Sequence, residues 1–163
     1  MLTKGYISRF INNAVKNNKI NSDFPLVYLD QISNPGNLGT IIRTCDWFGV
    51  KQIGISPNSV EFYNPKVVRS SMGSHFNMKY LGTPSSEDLN KFSLIGADFD
   101  KGKNINDISP PKNWALIMGS EASGISRNMN KRISSYVKIE KLGKGESLNI
   151  GVAMGIVLHK FKN

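Results

Sequence analysis

The sequence predicts an α/β domain built on a six-stranded, largely parallel sheet with flanking helices. Three observations predict it. Short β-rich runs bounded by turn residues alternate with segments of helical length. A chain of 163 residues, 39% of them hydrophobic, is long enough to bury one core and favours one domain. The last long segment, 146–161 (ESLNIGVAMGIVLHKF), is apolar almost all round: between Leu148 and Leu158 only Asn149 is strongly polar. A helix without a polar face has to be covered on most sides, and this one is too short to span a bilayer.

In chain order, residues 3–18 place Ile7, Phe10, Ile11, Ala14 and Val15 on one helical stripe and run into a polar linker. Residues 1–24 therefore read as an appended helix and linker, and 25–163 as the α/β domain. The predicted strands are PLVYLD (25–30), KQIGIS (51–56), HFNMKYL (75–81), FSLIGAD (92–98), NWALIMG (113–119) and SYVKIE (135–140). Segments 38–48, 65–72, 85–91 and 126–133 lie between them, most preceded by Asn, Ser or Gly, and read as helices. At the far end Gly151 and Gly155 share a helical face and would let another backbone come close. Glu146, Ser147 and Asn149 sit where the first free N–H groups of that helix point, a natural place for a ligand.

Twenty-one Lys and Arg against twelve Asp and Glu give a formal charge of +9 and a pI near 9.7. That balance favours a polyanionic partner, nucleic acid first and an anionic membrane second, over a soluble protein that is merely basic. One cysteine, Cys45, excludes an internal disulfide framework and offers no thiol cluster for zinc; it fits a reducing, cytoplasmic setting and reads as a small core residue. His75 and His159 are too far apart in sequence to suggest a metal pair. Residues 1–19 scatter charges and Asn where a signal peptide would be continuously apolar.

Ligands of such sheets bind beyond the carboxyl ends of the strands, so the polar loops there are the candidate site. In the first, Asn34-Pro35-Gly36 makes a turn, Asn37 can cap a helix, and that helix carries Arg43 inward among Ile41, Ile42 and Trp47. An arginine so placed needs an anionic or carbonyl partner, either a ligand or an internal ion pair with Asp30 or Glu121. The second loop, GSEASGIS (119–126), has Gly119 for close backbone approach, Glu121 as its carboxylate and Gly124 for a tight turn. It lacks the Lys-Ser/Thr ending of a phosphate loop, and no Gly-x-Gly-x-x-Gly follows the first strand, which disfavours dinucleotide and nucleoside triphosphate sites. The third loop is KLGKGESLN (141–149).

Together NPGNLGTIIRT (34–44), IMGSEASGI (117–125) and ESLNIGVAMGI (146–156) resemble the SpoU-type, TrmH-like RNA 2′-O-ribose methyltransferases of the SPOUT superfamily, and KVVRSSMGSHF (66–76) resembles the family's segment between its second and third strands. The resemblance covers about residues 26–161. It implies a six-stranded parallel-sheet catalytic domain over 25–163, a C-terminal segment threaded into a deep trefoil knot, a homodimer and an RNA substrate, ribosomal or transfer. It implies S-adenosylmethionine as cofactor and no metal, with the adenine held by backbone groups of Gly119, Ile139 and Leu148 and with Ala97 as a neighbour. Arg43, Asn37, Glu121, Ser147 and Asn149 fall on the family's catalytic cluster, and Arg43 and Arg69 are the expected RNA contacts, with Lys101, Lys103, Lys112, Lys141, Lys144 and Arg127 as further phosphate candidates. Since a guanidinium stays protonated in proteins, Arg43 is expected to bind a phosphate and steady the developing alkoxide. Two positions depart from the family pattern: Ile139-Glu140 stands where Ile-Pro is usual, and Ala122 where glycine is common. Many relatives carry a separate N-terminal RNA-binding domain, where only about twenty residues precede the core here. The alternative reading is an RNA-binding protein of the same fold with weakened catalysis.

Overall fold

A computed structural model describes residues 18–163; the helix expected over 3–18 lies, apart from Asn18, outside the described residues. Seven strands, β1 (Leu26–Asp30), β2 (Gln52–Ile55), β3 (Lys79–Tyr80), β4 (Ser93–Ala97), β5 (Lys103–Asn104), β6 (Trp114–Gly119) and β7 (Ser135–Lys138), form one sheet in the order β3-β2-β1-β6-β4-β7-β5. Every pairing is parallel. The helices are α1 (Pro35–Trp47), α2 (Pro65–Ser70), α3 (Ser86–Leu89), α4 (Arg127–Asn130) and α5 (Ile150–Lys162). All residues of β1 and β2 are buried, Asp30 and Gln52 among them, so the stretches LVYL and IGI show no alternation with polar residues.

The sheet has one strand more than the six expected. β5 is two polar residues hydrogen-bonded to the edge of β7, with Lys103 opposite Val137, and so short a polar stretch carries no hydrophobic period to detect. The expected strand over 75–81 shrinks to Lys79–Tyr80, because Ser74–Asn77 forms a 3₁₀ turn after Gly73 at φ 91°. That turn is fixed from the side chain: His75 is buried, its Nε2 donates to the Phe62 carbonyl at 2.8 Å, and its Nδ1 pairs with the Ser71 hydroxyl. The helices expected over 85–91 and 126–133 are single turns, each opened by a serine cap, Ser85 or Ser126.

The larger core lies between the sheet and the α1/α5 pair. Leu38, Ile41, Ile42 and Cys45 of α1 and Ile150, Met154, Val157, Leu158 and Phe161 of α5 are buried against β1, β2, β4, β6 and β7. Burial pushes the Cys45 thiol far above its usual range, so it packs as an inert hydrophobe. A Cβ on Gly151 would stand 2.7 Å from Thr40 Cγ2 of α1, and one on Gly39 would stand 1.8 Å from Ser70 Oγ and 2.8 Å from the Val67 carbonyl. Close approach is thus what Gly151 and Gly39 provide, and helices of this same chain fill the space. α5 is not covered all round, however: Val152 and Ile156, one turn apart, remain exposed. A thinner core of Leu26, Tyr28, Leu89, Phe92, Leu94, Ile117, Ile125 and Met129 covers the other sheet face.

From β1 the chain winds outward through β2 to β3, whereas β4 to β7 lie on the other side. The winding reverses between β1 and β6, whose ends Asp30 and Gly119 are paired, so the crevice of this sheet opens there.

Burial lowers the pKa of His75 against the smaller opposing effect of its bond to Phe62. The unfolded chain takes up the proton near pH 6.5 while the folded one resists. Stability is therefore complete above that pH and falls as pH drops through it, by at most about 1.4 kcal/mol per pH unit, until the folded His75 is itself protonated. Urea unfolding at pH 7.5 and 5.5 should show a lower midpoint at pH 5.5, and His75→Gln should flatten that difference.

Candidate active site

Asn34 ends the β1 loop and caps α1, accepting the N–H groups of Gly36 at 2.8 Å and Asn37 at 3.1 Å, with Pro35 at the first helical position. The capping residue is thus Asn34 and not Asn37, because Pro35 fixes where the helix begins. This leaves the Asn37 side chain free in the first turn. Its Nδ2 donates to Glu121 Oε1, and its Oδ1 accepts from Asn149 Nδ2 at 3.0 Å. Asn149 in turn caps α5, its Oδ1 accepting the Gly151 N–H at 2.9 Å. A continuous chain of hydrogen bonds, Glu121 to Asn37 to Asn149, therefore joins all three loops.

The Glu121 loop is held by its own backbone. Gly124, at φ 65°, donates to the Ser120 carbonyl at 2.8 Å, and a Cβ on Gly119 would lie 2.0 Å from the Gly124 carbonyl carbon. The close approach that Gly119 permits is occupied by Gly124 and Ile125 of its own loop. Asp30, 3% exposed at the end of β1, accepts the Ser126 N–H at 2.7 Å and ties the far side of that loop to the strand. In the sequence Asp30 stands only as a possible partner of Arg43, and its signal is a carboxylate ending an otherwise apolar strand.

Arg43 does not point inward. Leu38, Ile41, Ile42 and Cys45 fall on the buried stripe of α1, while Arg43 and Trp47, four residues apart, project outside it, Trp47 83% exposed. Among the described residues Arg43 forms no ion pair, so neither Asp30 nor Glu121 neutralises it. Ser147 is exposed in the third loop and hydrogen-bonds to none of the described side chains. Arg69 is exposed in the last turn of α2, which packs against α1.

Ala97, Gly119 and Ile139 stand at the carboxyl ends of the adjacent strands β4, β6 and β7, the first two as last residues and Ile139 just after its strand, and Leu148 is half-exposed. The backbone of residues 141–148 makes no hydrogen bond to the described residues, leaving amide and carbonyl groups open for a ligand. Glu140 Oε2 accepts from Asn104 Nδ2 at 3.2 Å, so β5 holds the one charged departure from the family pattern.

A profile of the SpoU rRNA Methylase family matches residues 25–159. The chain belongs to the SpoU rRNA methylase family. Its relatives include a Bacillus subtilis 23S rRNA (guanosine(2553)-2′-O)-methyltransferase, RlmP, 29% identical over 142 residues, covering 84% of this chain and 57% of that protein. An uncharacterized tRNA/rRNA methyltransferase of Mycoplasma genitalium is 32% identical, over 92% of this chain and 64% of its own length. Among solved structures, the SpoU methyltransferase AviRb of Streptomyces viridochromogenes superposes with a TM-score of 0.80 at 27% identity, covering 90% of this chain and 61% of that one; AviRb has also been crystallised with its cofactor AdoMet. The chain spans a little over half the length of the first of these curated relatives.

If the Asn149 amide has two separate jobs, they can be pulled apart. Asn149→Ala should destabilise the fold by about 1 kcal/mol through the lost cap, whereas Asn149→Asp should keep the cap and leave stability within about 0.5 kcal/mol. Urea denaturation of the two SpoU variants measures this.

Proposed function

We propose that this chain is the catalytic part of an S-adenosylmethionine-dependent RNA 2′-O-ribose methyltransferase acting on ribosomal or transfer RNA. The observation that carries the reading is the hydrogen-bonded chain of Glu121, Asn37 and Asn149, drawn from three loops that meet at the carboxyl ends of the strands. Family membership, the 2′-O-methyltransferase relatives and the +9 charge support it.

The open backbone of 141–148 and the adjacent strand ends at Ala97, Gly119 and Ile139 suit an adenosyl group, with Leu148 offering apolar cover. The cofactor supplies an activated methyl on a sulfonium, so the protein has to position a ribose 2′-hydroxyl and see its proton removed. Asn37 and Asn149 orient the ribose, Glu121 holds Asn37, and Ser147, unengaged by neighbouring side chains, is free to meet the 2′-hydroxyl or the cofactor. Arg43, unpaired among the described residues and always charged, binds an RNA phosphate and stabilises the forming alkoxide, while a phosphate oxygen or water takes the proton. Arg69, on the neighbouring helix, adds a second phosphate contact.

The working form is a homodimer, supported by the apolar surface left on the α1/α5 pair at Trp47, Val152 and Ile156. The C-terminal segment from Ile139 through α5 forms the trefoil knot of the family, supported by the family match to residue 159 and by the packing of α5 into the core it shares with the central strands. The buried thiol of Cys45 suits a cytoplasmic setting.

Transfer of radiolabelled methyl from S-adenosylmethionine to RNA from cells lacking the gene tests the reading. Methyl should appear on ribose 2′-oxygens, and Arg43→Ala should lower the rate by about 100-fold or more without altering the fold. A folded Arg43→Ala protein that transfers at the full rate would overturn Arg43's role. A wild-type protein that binds RNA and transfers nothing would point to the catalytically weakened alternative.

A further inference from the structure

A cleft of about 290 Å³ opens beyond the carboxyl ends of β1 and β2, and its wall includes Tyr28 and Met129 of the thinner core, on the sheet face away from α1 and α5. None of the catalytic candidates lines it. Its floor holds two polar groups with unspent capacity. Tyr28 is 4% exposed, and its hydroxyl has no hydrogen-bond partner among the described residues. Asp30 is 3% exposed and accepts one bond, from the Ser126 N–H, through Oδ2; its Oδ1 has no partner among the described residues. No side-chain polar atom among the described residues is both fully enclosed and unsatisfied, so these two meet the open space of the cleft.

Tyr28 remains a neutral donor: burial and, secondarily, the Asp30 carboxylate push its pKa up to about 12 against the pull of Arg132. Arg132 comes from the far wall, held by the Ser86 carbonyl at 2.7 Å and Asn90 Oδ1 at 2.9 Å, and adds positive charge. Gln31, lining the cleft, holds left-handed backbone at φ 60°, which costs roughly 1 kcal/mol for such a residue, and Asn58, also lining it, adopts φ 65°, a region asparagine tolerates. Buried hydrogen-bonding groups left unpartnered against open space mark a site shaped for a ligand.

The chemistry asked of that ligand is specific. Against a carboxylate it must present N–H donors, and beside them, against a phenol O–H and a guanidinium, an acceptor. We propose that this cleft takes the Watson–Crick edge of an unstacked guanine of the substrate RNA, with Asp30 accepting from N1–H and the 2-amino group and Tyr28 donating to O6. Guanine alone among the four RNA bases sets two adjacent donors next to a carbonyl. Uracil offers one donor between two acceptors, and adenine and cytosine turn a bare ring nitrogen to the carboxylate or leave the phenol unpaired. Sites that leave buried polar groups unpaired with the wrong base reject it strongly. The assignment rests on the RNA reading above and adds a base that the protein reads on the opposite face of the sheet from the α1/α5 pair.

NMR titration of the full chain with 5′-GMP, UMP, AMP and CMP, followed at the amides of Gln31, Asn58 and Ser126, tests it. GMP should bind at least about tenfold more tightly than AMP or CMP. Asp30→Asn keeps an acceptor for the Ser126 N–H while turning a donor into the cleft, and should abolish the GMP preference. Tyr28→Phe, which removes only the hydroxyl, should weaken GMP several-fold and serves if the first variant does not fold. Equal binding of the four nucleotides, no shift at these amides, or an unchanged GMP preference in folded Asp30→Asn and Tyr28→Phe would overturn the assignment. Calorimetry of the unaltered chain with S-adenosylmethionine separates the two readings: guanine selectivity without cofactor binding sinks the methyltransferase and leaves this site, and cofactor binding without guanine selectivity does the reverse.

Discussion

Asn149 donates a hydrogen bond to Asn37 across 112 positions of sequence, and most of the site's geometry follows from that contact. The oxygen of the same amide accepts the Gly151 N–H and caps α5, so the start of the helix and the position of the third loop are set together. The Asn37 amide passes the constraint on to Glu121, whose loop is tied to the sheet by Asp30 and folded against Gly119. A neutral amide pair suits this place: each amide carries both a donor and an acceptor, so the pair can satisfy a carboxylate on one side and a helix terminus on the other. Exchange of either amide for an aliphatic side chain would free the loops from one another while leaving the sheet intact.

The contact exists because α1 and α5 cross closely. Gly151 against Thr40 sets the approach near the start of α5, the Trp114 and Phe161 rings, 5.2 Å apart, fasten the end of α5 to β6, and the buried stripes of both helices share one core with the central strands. The same packing turns the remaining faces outward, with Arg43 and Trp47 on α1 and Val152 and Ile156 on α5. Exposed cationic and apolar side chains thus arise from one helical pair. On the other sheet face the thinner core leaves the β1 and β2 ends less covered, and the cleft at Tyr28 and Asp30 occupies that gap.

Much of this could be read from the residues. Apolar runs such as LVYL and WALIM become buried parallel strands, and the three polar loops after strands supply the candidate residues. What the sequence hid is long-range in origin. β5 is two polar residues whose pairing depends on β7, and Ser74–Asn77 coils because His75 finds Phe62 and Ser71, not because of local propensity. The inward placement of Arg43 failed because neighbours in sequence on a helix lie 100° apart, so Ile41 and Ile42 say little about residue 43. Asn34 outcompeted Asn37 as the cap because Pro35 fixes the first turn, and that displacement is what frees Asn37 for Glu121 and Asn149. The roles of Tyr28 and Asp30 needed the neighbouring loops in place before an unpaired hydroxyl and a half-used carboxylate could be recognised.

The joined loops matter functionally only if they hold a cofactor. Isothermal calorimetry of the folded chain with S-adenosylmethionine tests this most directly. Saturable binding with one site per chain is expected, weakened when Asn37 is replaced by alanine and the loops come apart. A folded protein that takes up no S-adenosylmethionine, alone or with RNA present, would contradict it.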